Sequence, residues 1–158
     1  MVSVFVLLHD LELKLLFLYK IECMDLVIGI DIGGTKTKLG LVNKEGNSIN
    51  NTFFRTKEYP VLTDYLDRIE RAVEELKKEC NVDYNLIGIG IGAPNASSKR
   101  GTIENAANLI WKGIVPIVEL MCKRFNMPIK LMNDASAAAI GEMQFGNEKG
   151  IDYYIVIT

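Results

Sequence analysis

Three runs of strand-forming residues precede the first helix of this chain, and that order limits the folds it can adopt. Val, Ile and Leu dominate residues 26–32 and 37–42, and a third run covers residues 48–55. Gly33-Gly34 and the polar stretch 44–47 separate these runs, as is typical of tight turns. Connections this short join antiparallel neighbours. The sequence therefore predicts a three-stranded antiparallel meander.

Helices and strands alternate after the meander. Apolar residues recur every three or four positions between residues 61 and 80, which predicts an amphipathic helix. A buried strand is predicted at 86–91 and a loop rich in Gly, Pro, Asn and Ser at 92–101. The later pattern predicts a helix from Pro116 to residue 125, a strand at 129–132, an Ala-rich helix at 133–146 and a strand at 153–158. We expect an α/β domain with a mixed sheet and helices on both faces.

The composition fits one globular domain in a reducing compartment. Of the 158 residues, 49% are hydrophobic and 24% are charged, which is enough for a buried core. The net charge of −2 gives no electrostatic basis for binding nucleic acid. Cys23, Cys80 and Cys122 form neither a disulfide framework nor a zinc motif. We expect a cytoplasmic protein with no nucleic-acid partner.

Residues 1–23 form a separate apolar segment. Charged side chains interrupt its apolar runs, so none reaches the roughly 18 residues that a membrane-spanning helix needs. A secretory signal would require basic residues before its apolar run, and no basic residue precedes the first apolar run here. We interpret residues 1–23 as an extension, either upstream of a true start at Met24 or an accessory amphipathic segment. The domain is placed at 24–158, with no membrane association.

The first candidate site joins an acid, two glycines, a hydroxyl and an amine at the end of the first strand. Gly33 and Gly34 let successive backbone N–H groups converge on phosphate oxygens, and Thr35 adds a donor. Asp31 can hold Mg²⁺ through water, and Lys36 adds positive charge. The alternative is an ordinary hairpin turn, which the glycine pair taken alone favours.

The second candidate site lies where the strand at 129–132 gives way to a helix. Asp134 can accept the proton of a substrate hydroxyl that attacks phosphorus. The alternative is that Asn133 or Asp134 only caps the helix.

The third candidate site comprises residues 90–95 and 101–111, whose Asn side chains can match pairs of sugar hydroxyls. Its alternative is a polar surface loop with its tryptophan anchored in the core.

Taken in order, these segments resemble the signatures of a known family. DIGGTKTKLGLV, GIGAPN…GTIENAANLIW and NDASAAAIGE are similar to the first phosphate loop, the sugar-binding loop and the catalytic motif of ROK-family sugar kinases. The resemblance covers residues 25–158. It implies the actin/hexokinase-like (ribonuclease H-like) ATPase fold and the N-terminal half of a glucokinase-like enzyme, whose nucleotide-binding half lies beyond residue 158.

The resemblance also implies roles for individual residues. Asp134 is the expected general base for the 6-hydroxyl of a hexose. The expected sugar ligands are Asn95, Asn108, Asn133 and Asp134. The expected ATP and Mg²⁺ site comprises Asp31, Gly33, Gly34, Thr35 and Lys36, with Asp31 holding the metal through water. A structural zinc site, formed in the family by one His and three Cys, is expected only in the second half, and the complete protein is expected to form a homodimer.

The sequence departs from the family pattern at two places. The GxPG pattern reads Gly92-Ala93-Pro94-Asn95, and the NDAN pattern ends in Ser136. Two other functions remain as alternatives: a ROK-type repressor that binds sugar as an effector, and a non-catalytic sugar-binding fragment. A repressor needs an N-terminal helix-turn-helix, and the apolar residues before Met24 do not fit one with a basic recognition helix. These motifs do not distinguish one hexose from another.

Overall fold

The computed structural model of the chain describes residues 23–146, so the strand predicted at 153–158 and the segment 1–22 lie outside the described part. Eleven helices and strands follow one another, and a 3-10 turn at Thr56–Glu58 comes after the third. They are β1 (Met24–Ile32), β2 (Lys36–Asn43), β3 (Ser48–Arg55), α1 (Leu62–Lys78), β4 (Tyr84–Ala93), β5 (Ala96–Ser97), β6 (Thr102–Glu104), β7 (Ile114–Val115), α2 (Ile117–Cys122), β8 (Ile129–Asn133) and α3 (Asp134–Phe145).

The main sheet has five strands in the order β3-β2-β1-β4-β8. β1 pairs antiparallel with β2, and β2 antiparallel with β3, so the predicted meander is confirmed. β4 joins β1 in parallel, and β8 joins β4 in parallel. A parallel neighbour needs a crossover connection, and α1 lies in the connection from β3 to β4. The sheet is mixed, as the sequence predicts.

Successive residues of β1 face opposite sides of the main sheet, and each side carries a helix. Leu26, Ile28, Ile30 and Ile32 are buried in one core, together with the apolar side of α1. The intervening positions, including Gly29 and Asp31, face the opposite side, where they border a groove against α3. The predicted covering of both faces by helices is therefore confirmed.

A small second sheet begins within the region predicted as a loop. β4 continues to Ala93, and β5, β6 and β7 form a three-stranded antiparallel sheet. The loop predicted at 92–101 is therefore interrupted by two residues of β5 and begins two residues later than expected, and its remaining residues form turns. Strands of two or three residues are too short to produce a hydrophobic alternation that a sequence can reveal. Gly101, with φ +69°, makes the turn between β5 and β6.

The second helix is shorter than predicted. Pro116 is its N-cap, and α2 ends at Cys122 rather than at residue 125. Phe125 nevertheless folds back into the core, because its N–H still bonds to the carbonyl of Met121 at 2.9 Å. Within residues 23–146, no helix is long and apolar enough to cross a membrane. The same residues contain no cluster of three His, Cys, Asp or Glu side chains that could hold a metal.

Candidate functional site

The carboxyl ends of β1, β4 and β8 bring two predicted acidic residues to one edge of the main sheet. Asp31 is aligned with Gly92, and Gly92 with Met132, so Asp134 follows only two strands away from Asp31. Two strand spacings amount to roughly 10 Å. Both carboxylates line one groove of about 860 Å³ between the sheet and α3. Crevices at the carboxyl ends of parallel strands are the usual ligand sites of α/β sheets.

Asp31 presents an accessible carboxylate at this edge. Its side chain is 52% exposed, and Oδ2 lies 3.4 Å from the ammonium of Lys38. An exposed ion pair of this kind contributes little to stability. An incoming cation can therefore replace Lys38 at small cost. Mg²⁺ usually keeps several of its waters and binds through one or two carboxylates. The chemistry of the residue fits the predicted metal role.

The glycine pair after β1 forms a tight turn that approaches a second loop. The N–H of Gly33 donates to the carbonyl of Lys36 at 3.0 Å, which closes the β1–β2 hairpin. A Cβ on Gly34 would collide with the backbone carbonyl of Asn108. The pair is thus a hairpin turn, the simpler of the two interpretations, and it also places the phosphate-loop backbone directly against the predicted sugar-binding loop. The two interpretations are compatible.

A second cleft, of about 490 Å³, lies where these two loops meet. Gly34, Thr35 and Asn108 line it together with Lys57, Ala107, Leu109 and Ile110. Asn108 is exposed, and among the described residues its side chain has no hydrogen-bond partner. Lys57, which the sequence analysis missed, is the charged residue of this lining. Lys57 could have been found from its position in the sequence. The end of β3 pairs with the start of β2, so a residue just after β3 lies next to the phosphate loop.

Lys36 is placed differently from the other phosphate-loop residues. It begins β2, and its ammonium lies 4.4 Å from the ring centroid of Phe53 on β3. It lines neither cleft. The role of Lys36 in binding nucleotide stays a prediction. In this arrangement Lys57, not Lys36, brings positive charge to the cleft between the phosphate loop and the sugar loop.

At the start of α3, the first two residues of the NDAS motif make different contacts. The side-chain oxygen of Asn133 accepts from the N–H groups of Ala135 at 3.1 Å and Ser136 at 3.4 Å, so Asn133 caps the helix. Its amide nitrogen has no partner in residues 23–146. Asp134 is half-buried, and its Oδ1 accepts from the N–H of Ala135 at 2.8 Å. The carboxylate therefore keeps one oxygen for a substrate proton.

Asn95 occupies the last position of the GxPG-like turn with φ +49°. Asparagine tolerates this left-handed conformation better than most residues, which explains how it can replace glycine here. Its amide donates to the carbonyls of Glu104 at 3.2 Å and Asn105 at 3.4 Å. The side chain is thus tied to its own loop, and a direct role in binding sugar remains a prediction.

An ion pair stabilises the hairpin that carries this turn. Arg100 makes a bidentate contact with the carboxylate of Glu104, and Thr102 donates to the same group. The hydrogen bonds from Arg100 and then from Thr102 lower the pKa of the Glu104 carboxyl below its usual range. Glu104 is therefore an anion that braces the loop rather than a group able to exchange protons near neutral pH.

The sugar loop is also held from within. The ammonium of Lys112 donates to the carbonyls of Ala107 at 3.1 Å and Leu109 at 2.8 Å. Trp111 packs against Tyr65 of α1, with ring centroids 4.2 Å apart. Trp111 is thus anchored to the core, as the alternative interpretation of this segment expects, while Asn108 remains exposed at the cleft.

Comparisons with known proteins agree with this arrangement. The family model described as "ROK family" matches residues 27–158. The glucokinase of Streptomyces coelicolor is 38% identical over 136 residues, which are 85% of this chain and 41% of that protein. A xylose repressor of Caldicellulosiruptor bescii is 34% identical over 125 residues, which are 76% of this chain and 30% of the repressor.

A solved structure extends the agreement to three dimensions. The crystal structure of a ROK family glucokinase from Streptomyces griseus, in complex with glucose and AMPPNP, has a TM-score of 0.70 at 34% identity and aligns with 80% of this chain and 39% of its own. This chain therefore spans less than half the length of each of these proteins. The likeness confirms the predicted actin/hexokinase-like fold, and the match over residues 27–158 shows that the chain belongs to the ROK family.

Proposed function

We propose that this chain supplies the sugar-binding loop, the first phosphate loop and the general base of an ATP-dependent hexose kinase. The reaction is transfer of the ATP γ-phosphoryl group to the 6-hydroxyl of a glucose-like sugar. Two neighbouring features carry the proposal. Asp31 and Asp134 line one groove at the carboxyl edge of the sheet, and in the turn that follows β1 Gly34 of the phosphate loop abuts Asn108 of the sugar loop. The glucose and AMPPNP bound to the S. griseus relative support the choice of substrates.

The proposed division of the protein follows from length. The chain matches 41% of the S. coelicolor glucokinase, and we assign residues 24–158 to the N-terminal half of a longer kinase. The adenosine pocket and the structural zinc site belong to the second half. In this proposal the complete enzyme is a cytoplasmic homodimer, and sequencing the gene past codon 158 tests whether glycine-rich and Cys/His motifs follow.

At the sugar, Asp134 acts as the base. The N–H of Ala135 holds Oδ1, which leaves Oδ2 to accept the proton of the attacking hydroxyl. The exposed amide of Asn108 and the amide nitrogen of Asn133 bind neighbouring hydroxyls and orient the ring. Correct orientation is worth much in a transfer reaction, since it replaces the entropy cost of a chance encounter.

At the phosphate, the backbone N–H groups of Gly34 and Thr35 and the ammonium of Lys57 bind anionic oxygens. Magnesium ATP, when bound, supplies the phosphoryl group and the metal charge that compensates the developing negative charge. Asp31 is the residue that would hold the metal through its waters. The protein contributes positioning and electrostatic stabilisation in this mechanism, not a covalent intermediate.

The central test is Asp134→Asn in the full-length protein. We expect kcat for sugar phosphorylation to fall by about 10²- to 10⁴-fold, because the amide cannot accept the proton, while KM for glucose changes little. The matched control is Asp83→Asn, which removes a carboxylate just before β4, at the opposite end of the sheet. Unchanged turnover in Asp134→Asn would remove Asp134 from the mechanism.

A sugar-responsive repressor is the second candidate, and the 34% identity to the C. bescii xylose repressor favours considering it. A kinase forms sugar phosphate, whereas a repressor binds sugar without consuming ATP. Glucose and xylose binding and ATP turnover should therefore be measured on one preparation. Sugar binding without turnover, combined with DNA binding that sugar reverses, would favour the repressor. Sugar binding with neither property would favour a non-catalytic fragment.

A further inference from the structure

We propose that Tyr65 is a positioning residue that holds the phosphate loop through its hydroxyl and the sugar loop through its ring. This inference rests on the proposed function, because it explains how the two loops of that site keep their relative placement. Tyr65 lies on α1, is fully buried and lines neither of the two clefts described above. It therefore acts through other residues.

A chain of three buried hydroxyls leads from Tyr65 to the phosphate loop. The Tyr65 hydroxyl lies 2.8 Å from Thr37 Oγ1, and Thr37 Oγ1 lies 3.0 Å from Thr56 Oγ1. Thr56 Oγ1 donates to the carbonyl oxygen of Gly33 at 2.7 Å. All three residues are buried, with at most 1% of their surface exposed. The chain therefore excludes water as a competing partner.

The direction of this chain is fixed by counting protons. A carbonyl oxygen can only accept, so Thr56 spends its single hydroxyl proton on Gly33. Thr37 must then donate to Thr56, and Tyr65 must donate to Thr37. Burial raises the pKa of the Tyr65 hydroxyl, so it keeps the proton that the first bond requires.

The consequence for the phosphate loop follows from peptide geometry. In a trans peptide the carbonyl of one residue and the N–H of the next point in opposite directions. Because the Gly33 carbonyl points toward Thr56, the N–H of Gly34 points away from Thr56, and we expect it to face the cleft that Gly34 lines. The hydroxyl chain thus orients a donor that the proposed function assigns to phosphate.

The ring of Tyr65 acts on the other loop. Its centroid lies 4.2 Å from that of Trp111, which follows Asn108 by three residues. Aromatic pairs at this separation contribute beyond simple burial. The two loops meet directly where Gly34 abuts Asn108, so one side chain supports both members of this contact.

Two substitutions separate the two contributions. Tyr65→Phe removes the hydroxyl and keeps the ring, so we expect KM for ATP to rise about 2- to 12-fold, the range of one hydrogen bond, with KM for glucose unchanged. Tyr65→Leu removes the ring as well, so both KM values should rise. The emission maximum of Trp111, the single tryptophan of the chain, should shift in Tyr65→Leu only.

The control is Tyr59→Phe, which removes a hydroxyl from the same aromatic cluster. Tyr59 packs edge-on against Phe54, and among the described residues its hydroxyl makes no hydrogen bond. We expect neither KM to change. Equal changes of both KM values in Tyr65→Phe, or no change in either, would overturn the inference.

Amide hydrogen exchange keeps the inference testable if the full-length wild-type protein phosphorylates no sugar. In that case the proposed function fails, and the exchange rates of residues 33–36 and 106–111 are compared in the same variants. Faster exchange at 33–36 alone in Tyr65→Phe supports the positioning role. Unchanged exchange, or a uniform increase in both segments, overturns it.

Discussion

Gly34 is the residue at which the phosphate loop and the sugar loop touch. A Cβ at this position would collide with the Asn108 carbonyl and lie 3.1 Å from the Asn108 Cβ. We expect Gly34→Ala to lower the free energy of unfolding by about 1–3 kcal/mol, because backbone rather than a flexible side chain has to move. Denaturant unfolding followed by Trp111 emission measures the change.

Gly141→Ala is the matched control for this substitution. A Cβ on Gly141 would have no neighbour within 4 Å among residues 23–146 beyond its own helix backbone, and the residue lies inside α3. Alanine is favoured over glycine in a helix interior by about 1 kcal/mol, so the control should be neutral or stabilising. A loss of stability as large as that of Gly34→Ala would contradict the close approach of the loops.

Asn95 illustrates what the sequence can say about one residue and what it cannot. The departure from glycine in the GxPG pattern is visible in the sequence, and asparagine is the substitution that a left-handed position best accepts. The hydrogen bonds of its amide to Glu104 and Asn105 could not be predicted, because they depend on the β5–β6 hairpin. A sugar ligand and a loop brace look the same in sequence.

At the scale of elements, Asn133 has two separable roles at the start of α3. Its side-chain oxygen caps the helix, and its amide nitrogen is the proposed sugar contact. Asn133→Ala should lower the free energy of unfolding by about 1 kcal/mol, whereas Asn133→Ser keeps a capping oxygen and should be close to wild type. Denaturation midpoints measure this difference.

The same two variants test the sugar contact. Both lack the amide N–H₂ donor, so both should bind glucose more weakly, as measured by titration of Trp111 emission. Weakened binding in Asn133→Ala alone would mean that Asn133 acts on sugar only through the helix start.

The strong elements could be predicted because their patterns are long. The eight-residue strands and α1 have enough positions for a period to appear, and their observed bounds lie within a few residues of the expected ones. β5, β6 and β7 are two or three residues long and are held together by backbone pairing. A run this short has too few positions for a hydrophobic period to appear.

At the scale of the whole molecule, the sequence located the candidate site but not its assembly. The acidic residues and the Asn residues could be found from motif order. Lys57 could have been found from its position after the third strand of the predicted meander. The Tyr65–Thr37–Thr56 chain could not, because it joins residues that are 19 and 28 positions apart through side-chain contacts. Short sequence motifs identify the residues that react or bind, whereas the residues that hold them in place are identified only by their packing in the folded structure.

The groove beside α3 is a broad apolar surface that the described residues expose. No residue of α3 is buried, and Ile140, Met143 and Phe145 are 45–48% exposed. Facing them, Gly29, Gly40 and Gly90 lie side by side on three neighbouring strands and leave a shallow floor. A continuous apolar surface of this kind is uncommon on a protein that works alone.

This surface gives a direct test of the proposal that residues 24–158 are one half of a longer kinase. The 158-residue chain alone should self-associate in sedimentation experiments, with a sedimentation coefficient that rises with concentration, because no residue of the described range 23–146 covers the groove. Phe145→Asp should weaken this association, since it places a charge in the groove. Val61→Asp makes the same change at an exposed site before α1, outside the groove lining, and should have no such effect. A stable monomer at all concentrations would count against the half-kinase proposal, because it would mean that the exposed face needs no partner.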